Sequence, residues 1–149
     1  YGRKPRIGIR LHLLSRDTEE EAWAEAQRLL DGIPPGAIER AQRQFAKSES
    51  VVQARMVGLH QGEVGKARDL EVYPNLWAGV GLVRGGAVTA VIGSHDQVAA
   101  RIAEYEALGV DTFIFSAYPN LEEAIRVGED LLPRLRREQR PKPALVAAS

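Results

Sequence analysis

At 149 residues, with 20 Lys+Arg against 20 Asp+Glu, the chain fits one ordinary domain and has no net charge to draw nucleic acid or an acidic membrane surface. Its cysteine count of 0 excludes disulfides and thiol catalysis and fits the reducing cytoplasm, and no apolar run approaches the ~20 residues of a membrane span. The start, Tyr1-Gly-Arg-Lys-Pro-Arg6, has no apolar stretch of the signal-peptide kind behind it. Met56 is the only methionine, so residue 1 reads as an internal cut.

From Arg6 to Leu14 the residues alternate, with Ile7, Ile9, Leu11 and Leu13 on one side and Arg10 and His12 on the other. That period of two predicts a strand. Arg10 and His12 face water if it is an edge strand, and a shared ligand if it lines the interior of a barrel. Asp17 to Glu21 opens a helix, since Thr18 and Glu21 have the spacing of a capping box. Its buried stripe is Ala22, Trp23, Ala26, Leu29, Leu30 and Ile33, and Gly32 with Pro34-Pro35-Gly36 stops it.

Residues 36–70 read as an insertion. Ala37, Ile38, Ala41 and Phe45 suggest one helix, and Val51, Val52, Arg55, Met56 and Leu59 a second, both polar elsewhere. Such a segment is either an active-site lid or an outer helical hairpin that makes oligomer contacts. His60 reads as exposed.

Tyr73 to Gly93 is apolar and glycine-rich, with Arg84 set among Gly79, Gly81, Gly85 and Gly86. Glycine lets a ligand approach the main chain, and a guanidinium offers five donors suited to phosphate, sulfonate or carboxylate. The plainer reading is a surface arginine on a loop between buried segments. Thr89 to Gly93 is a short buried strand, and Ser94 or Asp96 caps a helix whose stripe is Val98, Ile102, Tyr105 and Leu108, closed by Gly109. Gly93-Ser94 is either a plain cap or an anion site made by free backbone N–H groups. His95, in the first turn, reads as solvent-exposed.

Val110 to Ser116 is the next strand, β-branched and aromatic. After Ala117-Tyr118-Pro119, Asn120 and Glu123 have capping spacing for a helix carrying Ala124, Val127, Leu131 and Leu135. Pro133 and the basic cluster Arg134 to Arg140 end it, leaving 141–149 as a flexible tail. Three rounds of strand then helix argue for parallel βαβ units, whose ligands sit at the C-terminal ends of the strands. Arg10, His12, Arg84 and Tyr118 would converge on one such mouth. Gly79-Val-Gly-Leu-Val-Arg84 is a near miss for a dinucleotide fingerprint, but a strand follows it and not a helix. His12, His60 and His95 are too scattered for a three-histidine metal site, so no metal is expected.

Pro74-Asn-Leu-Trp-Ala-Gly-Val-Gly-Leu-Val-Arg-Gly-Gly86, together with Ile7-Gly-Ile-Arg-Leu-His12 and Ser116-Ala-Tyr-Pro119, resembles the alkanesulfonate monooxygenases of the bacterial luciferase-like superfamily. The resemblance runs from Tyr1 to about Leu135 and matches the C-terminal part of such an enzyme. It implies the C-terminal portion of a (β/α)8 TIM barrel over 1–140, with 36–70 as the helical insertion. The implied reaction is oxygenolytic desulfonation, in which an alkanesulfonate, O2 and reduced FMN from a separate NAD(P)H-dependent flavin reductase give an aldehyde and sulfite. The matched positions assign sulfonate or flavin oxygens to Arg10, a proton or substrate-orienting role to His12, a sulfonate clamp to Arg84, and a hydrogen bond to sulfonate or flavin to Tyr118. Gly93 and Ser94 would touch the cofactor. A homo-oligomer is expected. Two other readings stand beside this one: a catalytically incomplete anion-binding or oligomerisation fragment, and a different flavin- or deazaflavin-dependent oxidoreductase of the superfamily.

Overall fold

The computed structural model describes residues 5–47, 54–55, 58–59, 65–86 and 89–138. In chain order the elements are β1 (Gly8–Arg16), α1 (Glu19–Asp31), α2 (Ala37–Phe45), β2 (Glu71–Tyr73), β3 (Leu76–Trp77), β4 (Ala90–Ser94), α3 (His95–Ala107), β5 (Thr112–Ser116), α4 (Asn120–Arg126) and α5 (Leu132–Glu138). Single 3₁₀ turns cover Ala67–Leu70 and Gly79–Leu82, and a π turn, Val127–Leu131, joins α4 to α5.

The sheet has the order β2-β3-β4-β1-β5, with β1 parallel to both β4 and β5 and the β2–β3 hairpin antiparallel on β4. From β1 the chain steps to β4 on one side, then crosses back over β1 to reach β5. Right-handed crossovers in opposite directions put their helices on opposite faces of a sheet, and the core divides accordingly. On one face Leu14, Ala90 and Ile92 pack with Trp23, Ala26 and Leu30 of α1 and with Trp77 and Leu82. On the other, Leu11, Leu13 and Val91 pack with Val98 and Ile102 of α3 and with Leu131. The apolar side read in β1 supplies Ile9, Leu11 and Leu13 to one core, and Leu14, on the side of His12, supplies the other.

This is a mixed α/β fold with a five-stranded sheet. Consecutive strands of a barrel would place β4 between β1 and β5; here β1 is between them, and β2 and β5 are the sheet's edges. Among the described residues the sheet does not close.

Local signals set most element boundaries. Thr18 caps α1 with the reciprocal Glu21 bond, and Ser94 caps α3 in the same way with Gln97. Four expectations change. Leu108 is 81% exposed, because α3 ends at Ala107 and Gly109, at φ +94, turns the chain away before that position meets the core. Asn120 does not cap α4; Pro119 holds the cap position without a side-chain bond, and Glu123 is buried against another partner. Pro133 does not end the last helix. It follows the π turn, a widened geometry that tolerates the donor and space a proline removes. The stretch from Tyr73, which the sequence shows only as apolar and glycine-rich, opens in a hairpin, Glu71–Trp77, and Asn75, at φ 63, makes its turn. Of the insertion, α2 is formed and has no fully buried residue. The second helix expected near 51–59, His60 and the tail 141–149 lie mainly or wholly outside the described residues.

Candidate functional site

Arg84 reaches its position through a tightly built segment. A Cβ on Gly79 would lie 2.0 Å from Cζ2 of Trp77, so only glycine allows the chain to pass over the indole. The indole itself is fixed, its Nε1 donating to the Ala67 carbonyl at 2.9 Å in a buried bond. The 3₁₀ turn that follows is held from outside by α2, where Gln42 Nε2 donates to the Leu82 carbonyl at 3.0 Å. The Arg84 amide then donates to the Val80 carbonyl at 3.2 Å. The described part of the insertion thus touches the segment that carries Arg84.

At the end of this segment three of the sequence-predicted residues meet. The Tyr118 ring stacks on the His12 imidazole, with centroids 5.8 Å apart and planes 21° from parallel. The guanidinium carbon of Arg84 stands 5.6 Å from the centre of the same tyrosine ring, within range of a cation–π contact. His12 is 2% exposed and Tyr118 42%, so the stack runs from the interior to the surface. The fourth residue, Arg10, is exposed on β1, its Nε donating to Ser116 Oγ at 3.1 Å. Arg10, Arg84, Ser116, Tyr118 and Asn120 line one cavity of about 400 Å³, whose apolar walls include Leu13, Phe115, Val127 and Leu132. Among the described residues neither Arg10 nor Arg84 has a carboxylate partner. The one carboxylate on the cavity wall, Glu123, receives two bonds from Arg16, at 3.0 and 2.6 Å.

Gly93 and Ser94 are elsewhere. They do not line this cavity, and their polar groups serve the cap: Gln97 N–H donates to Ser94 Oγ at 3.2 Å and Ser94 N–H to Gln97 Oε1 at 2.8 Å. A Cβ at Gly93 would meet Gln97 Oε1 at 2.8 Å and Asn75 Nδ2 at 2.9 Å, which accounts for the glycine by packing.

His95 corrects the sequence reading most directly. It is 5% exposed, its Nδ1 lies 2.7 Å from Ser15 Oγ, and its Nε2 lies 3.3 Å from Asp17 Oδ1. Ser15 Oγ and His95 Nδ1 share one buried hydrogen bond, whose direction is set by which ring nitrogen carries the proton. Beside it a second, charged cavity of about 530 Å³ is lined by Arg16, Asp17, Glu21, Glu25, Arg28, His95, Arg126 and Asp130. Hydrogen bonding by Arg28 holds the Glu25 carboxyl below the usual glutamate range, against the opposing effect of burial. The sequence offered no signal for Arg16 with Glu123 or Ser15 with His95, because both pairs depend on strand order and register.

Among the described residues no group of three or more His, Cys, Asp or Glu is placed to hold a metal ion, and no helix is long and apolar enough to cross a membrane.

Residues 1–112 match the sequence model of a family described as luciferase-like monooxygenase. In structure the chain is similar to a riboflavin lyase crystallised with modified FMN and its substrate riboflavin, with a TM-score of 0.58 at 20% identity. At that identity the likeness is one of fold. It covers 89% of this chain and 31% of the lyase, so the chain spans about a third of that enzyme's length.

Proposed function

The chain belongs to the luciferase-like monooxygenase family, whose members are flavin-dependent enzymes, and from that premise we propose that it carries the anion-binding part of a reduced-FMN-dependent monooxygenase acting on alkanesulfonates. The observation that carries the reading is a pair of arginines, Arg10 and Arg84, facing one cavity of about 400 Å³ with no carboxylate to neutralise them among the described residues. Guanidinium groups in that state suit a hard oxyanion.

The donor set fits a flavin edge and a sulfonate side by side: two guanidinium groups, the Tyr118 and Ser116 hydroxyls and the Asn120 amide. Arg10 and Tyr118 would hold FMN, which, supplied in reduced form by a separate NAD(P)H-dependent reductase, would provide the electrons with which O2 is used. The chain's own residues do the rest. Arg84 and Arg10 bind the sulfonate oxygens. His12, buried under the Tyr118 ring, is the side chain placed to hold or pass a proton. Leu13, Phe115, Val127 and Leu132 keep water away from the reacting carbon. The products are an aldehyde and sulfite.

The test is sulfite release from octanesulfonate by this chain with FMN, NADPH and a flavin reductase. Sulfite above the reductase-only control, and lost in Arg84→Ala, supports the reading. Its absence withdraws desulfonation from the chain as it stands. The fold likeness to a riboflavin lyase favours a second reading, a flavin-dependent enzyme of the same family with another substrate. That reading gains if the chain binds FMN and anions through Arg10 and Arg84 but releases no sulfite.

A further inference from the structure

Arg84 is aimed by groups that lie outside its own cavity. The peptide from Leu82 to Val83 is held at its carbonyl by Gln42 Nε2, which donates to it at 3.0 Å. The next peptide, from Val83 to Arg84, is held at its amide, which donates to the Val80 carbonyl at 3.2 Å. A planar peptide leaves the chain only two rotations per residue, so these two bonds set the direction in which the Arg84 side chain departs from the backbone. The Leu82 side chain, fully buried, anchors the segment beneath them. Past Arg84 come Gly85 and Gly86, the second at φ +88, and glycine restricts the backbone least of all residues. The direction is therefore set from the side of Gln42.

Gln42 owes its place to the two sides of α2. Ile38, Ala41, Gln42 and Phe45 fall on one side and are half-buried, with Ile38 packed against the core that holds Leu82. Glu39, Arg40, Arg43 and Gln44 are exposed. An amide turned inward is costly unless it is bonded, and the Leu82 carbonyl bonds this one. Gln42 does not line the cavity around Tyr118, and neither does any other residue of α2. We propose that Gln42 is a positioning residue for Arg84: its bond holds the guanidinium beside the Tyr118 ring, and α2 thereby governs anion affinity at a cavity it does not line. The affinity half of this inference rests on the anion-binding role proposed for Arg84; the geometric half does not.

Two readouts test it together, the NMR resonance of the Arg84 Nε–H group and titration with butanesulfonate. The resonance, identified by its loss in Arg84→Lys, should stand apart from those of exposed arginines because the Tyr118 ring shields it. Gln42→Met keeps the length of the side chain and removes the donor. It should return the resonance to the exposed-arginine position and raise the Kd about threefold to tenfold, the share of one hydrogen bond. Gln42→Lys, which keeps a donor for the carbonyl, should restore the resonance. Thr18→Ala, which loosens α1 at its cap, should leave both readouts at their wild-type values, so that a general loss of stability is not mistaken for positioning. An unchanged resonance and Kd in Gln42→Met overturn the inference, and so does a Gln42→Lys that behaves like Gln42→Met. In the wild type alone, the Gln42 side-chain amide should exchange with water more slowly than that of Gln44, and equal rates overturn the bond whether or not the variants fold. If the wild type binds no butanesulfonate, the anion role of Arg84 and the affinity half fall together, and the resonance decides the geometric half.

Discussion

Two cavities of similar size treat their arginines in opposite ways. In the charged cavity Arg16 is bonded twice to Glu123 and lies 3.7 Å from Glu25, Arg28 is bonded to Glu25, and Arg126 lies 3.9 Å from Glu123. In the cavity around Tyr118, Arg10 and Arg84 have a serine and an aromatic ring for company. Charges matched inside the molecule hold it together and have little left for a ligand. Charges without an internal partner contribute little to the fold and keep their full attraction for an incoming anion. If this contrast is right, mutations in the two cavities separate cleanly into losses of stability and losses of binding.

The largest effect belongs to Arg16→Met. Glu123 has only 3% of its side chain exposed, so removing the guanidinium leaves a buried carboxylate with Arg126, 3.9 Å away, as its nearest remaining ion-pair partner among the described residues. Breaking a buried pair from one side costs about 3 kcal/mol. Urea unfolding should show that loss for Arg16→Met and a change within about 0.5 kcal/mol for Arg10→Met, the usual range for an exposed substitution. Equal losses in both variants would break the contrast.

Binding should show the reverse. A hydrogen bond to a charged group contributes about 1.5–3 kcal/mol, so Arg84→Ala or Arg10→Ala should weaken the affinity for butanesulfonate by about tenfold or more. Arg28→Ala, whose guanidinium is committed to Glu25, should leave that affinity unchanged. Titration of the three variants side by side sharpens the comparison. An Arg28 effect as large as the Arg84 effect would mean that the anion binds in the charged cavity.

How much of this was legible in the sequence depends on the distance over which each feature is determined. The Thr18–Glu21 box and the strand at β1 are written within a few residues and both are present in the structure, but β1 is buried on both faces from Leu11 to Ser15 and not on one. The grouping of Arg84, His12 and Tyr118 was expected from strand ends and from resemblance, not from spacing, and the ring stack is what brings them together. Arg16 and Glu123 are 107 residues apart. They meet because the strand order sets β5 beside β1, and Glu123 in the sequence looks like the capping partner of Asn120. His95 reads as an exposed first-turn residue until the register pairs Ser15 with Gly93 and brings the two strand ends together. The β2–β3 turn is a different case: Pro74-Asn75 carries turn chemistry in plain view, but the flanking strands are too short to show a period.

Ser15→Ala gives a smaller effect that separates His95 from the charged cavity it lines. The substitution removes the hydroxyl that shares a hydrogen bond with Nδ1 and leaves Nε2 beside Asp17. The expected cost is about 1 kcal/mol in urea unfolding, the ordinary net contribution of one hydrogen bond, with a modest extra loss from the ring nitrogen left buried. Butanesulfonate affinity should not move. If it falls, the Ser15–His95 pair belongs with the binding residues and the division between the cavities is drawn in the wrong place.

The smallest effect is on the pH dependence of stability, and its sign follows from Glu19 and Glu25. Bonds from Gln97 and then Arg68 hold the Glu19 carboxyl below its ordinary range, and the bond from Arg28 does the same for Glu25. A carboxyl depressed in the folded state binds its proton more readily when unfolded. Its contribution is therefore fully present above the ordinary glutamate value and is lost as pH falls through the depressed folded value. Both groups are partly exposed and screened, so the slope should be shallow. Urea midpoints measured downward from neutral pH should hold steady and then decline on the acid side, and the decline should be gentler in Glu19→Gln, which no longer titrates there. A midpoint that rises on acidification would place Glu19 and Glu25 in net repulsion with their surroundings, and Arg68 and Arg28 would then be neutralising that repulsion and not locking the fold.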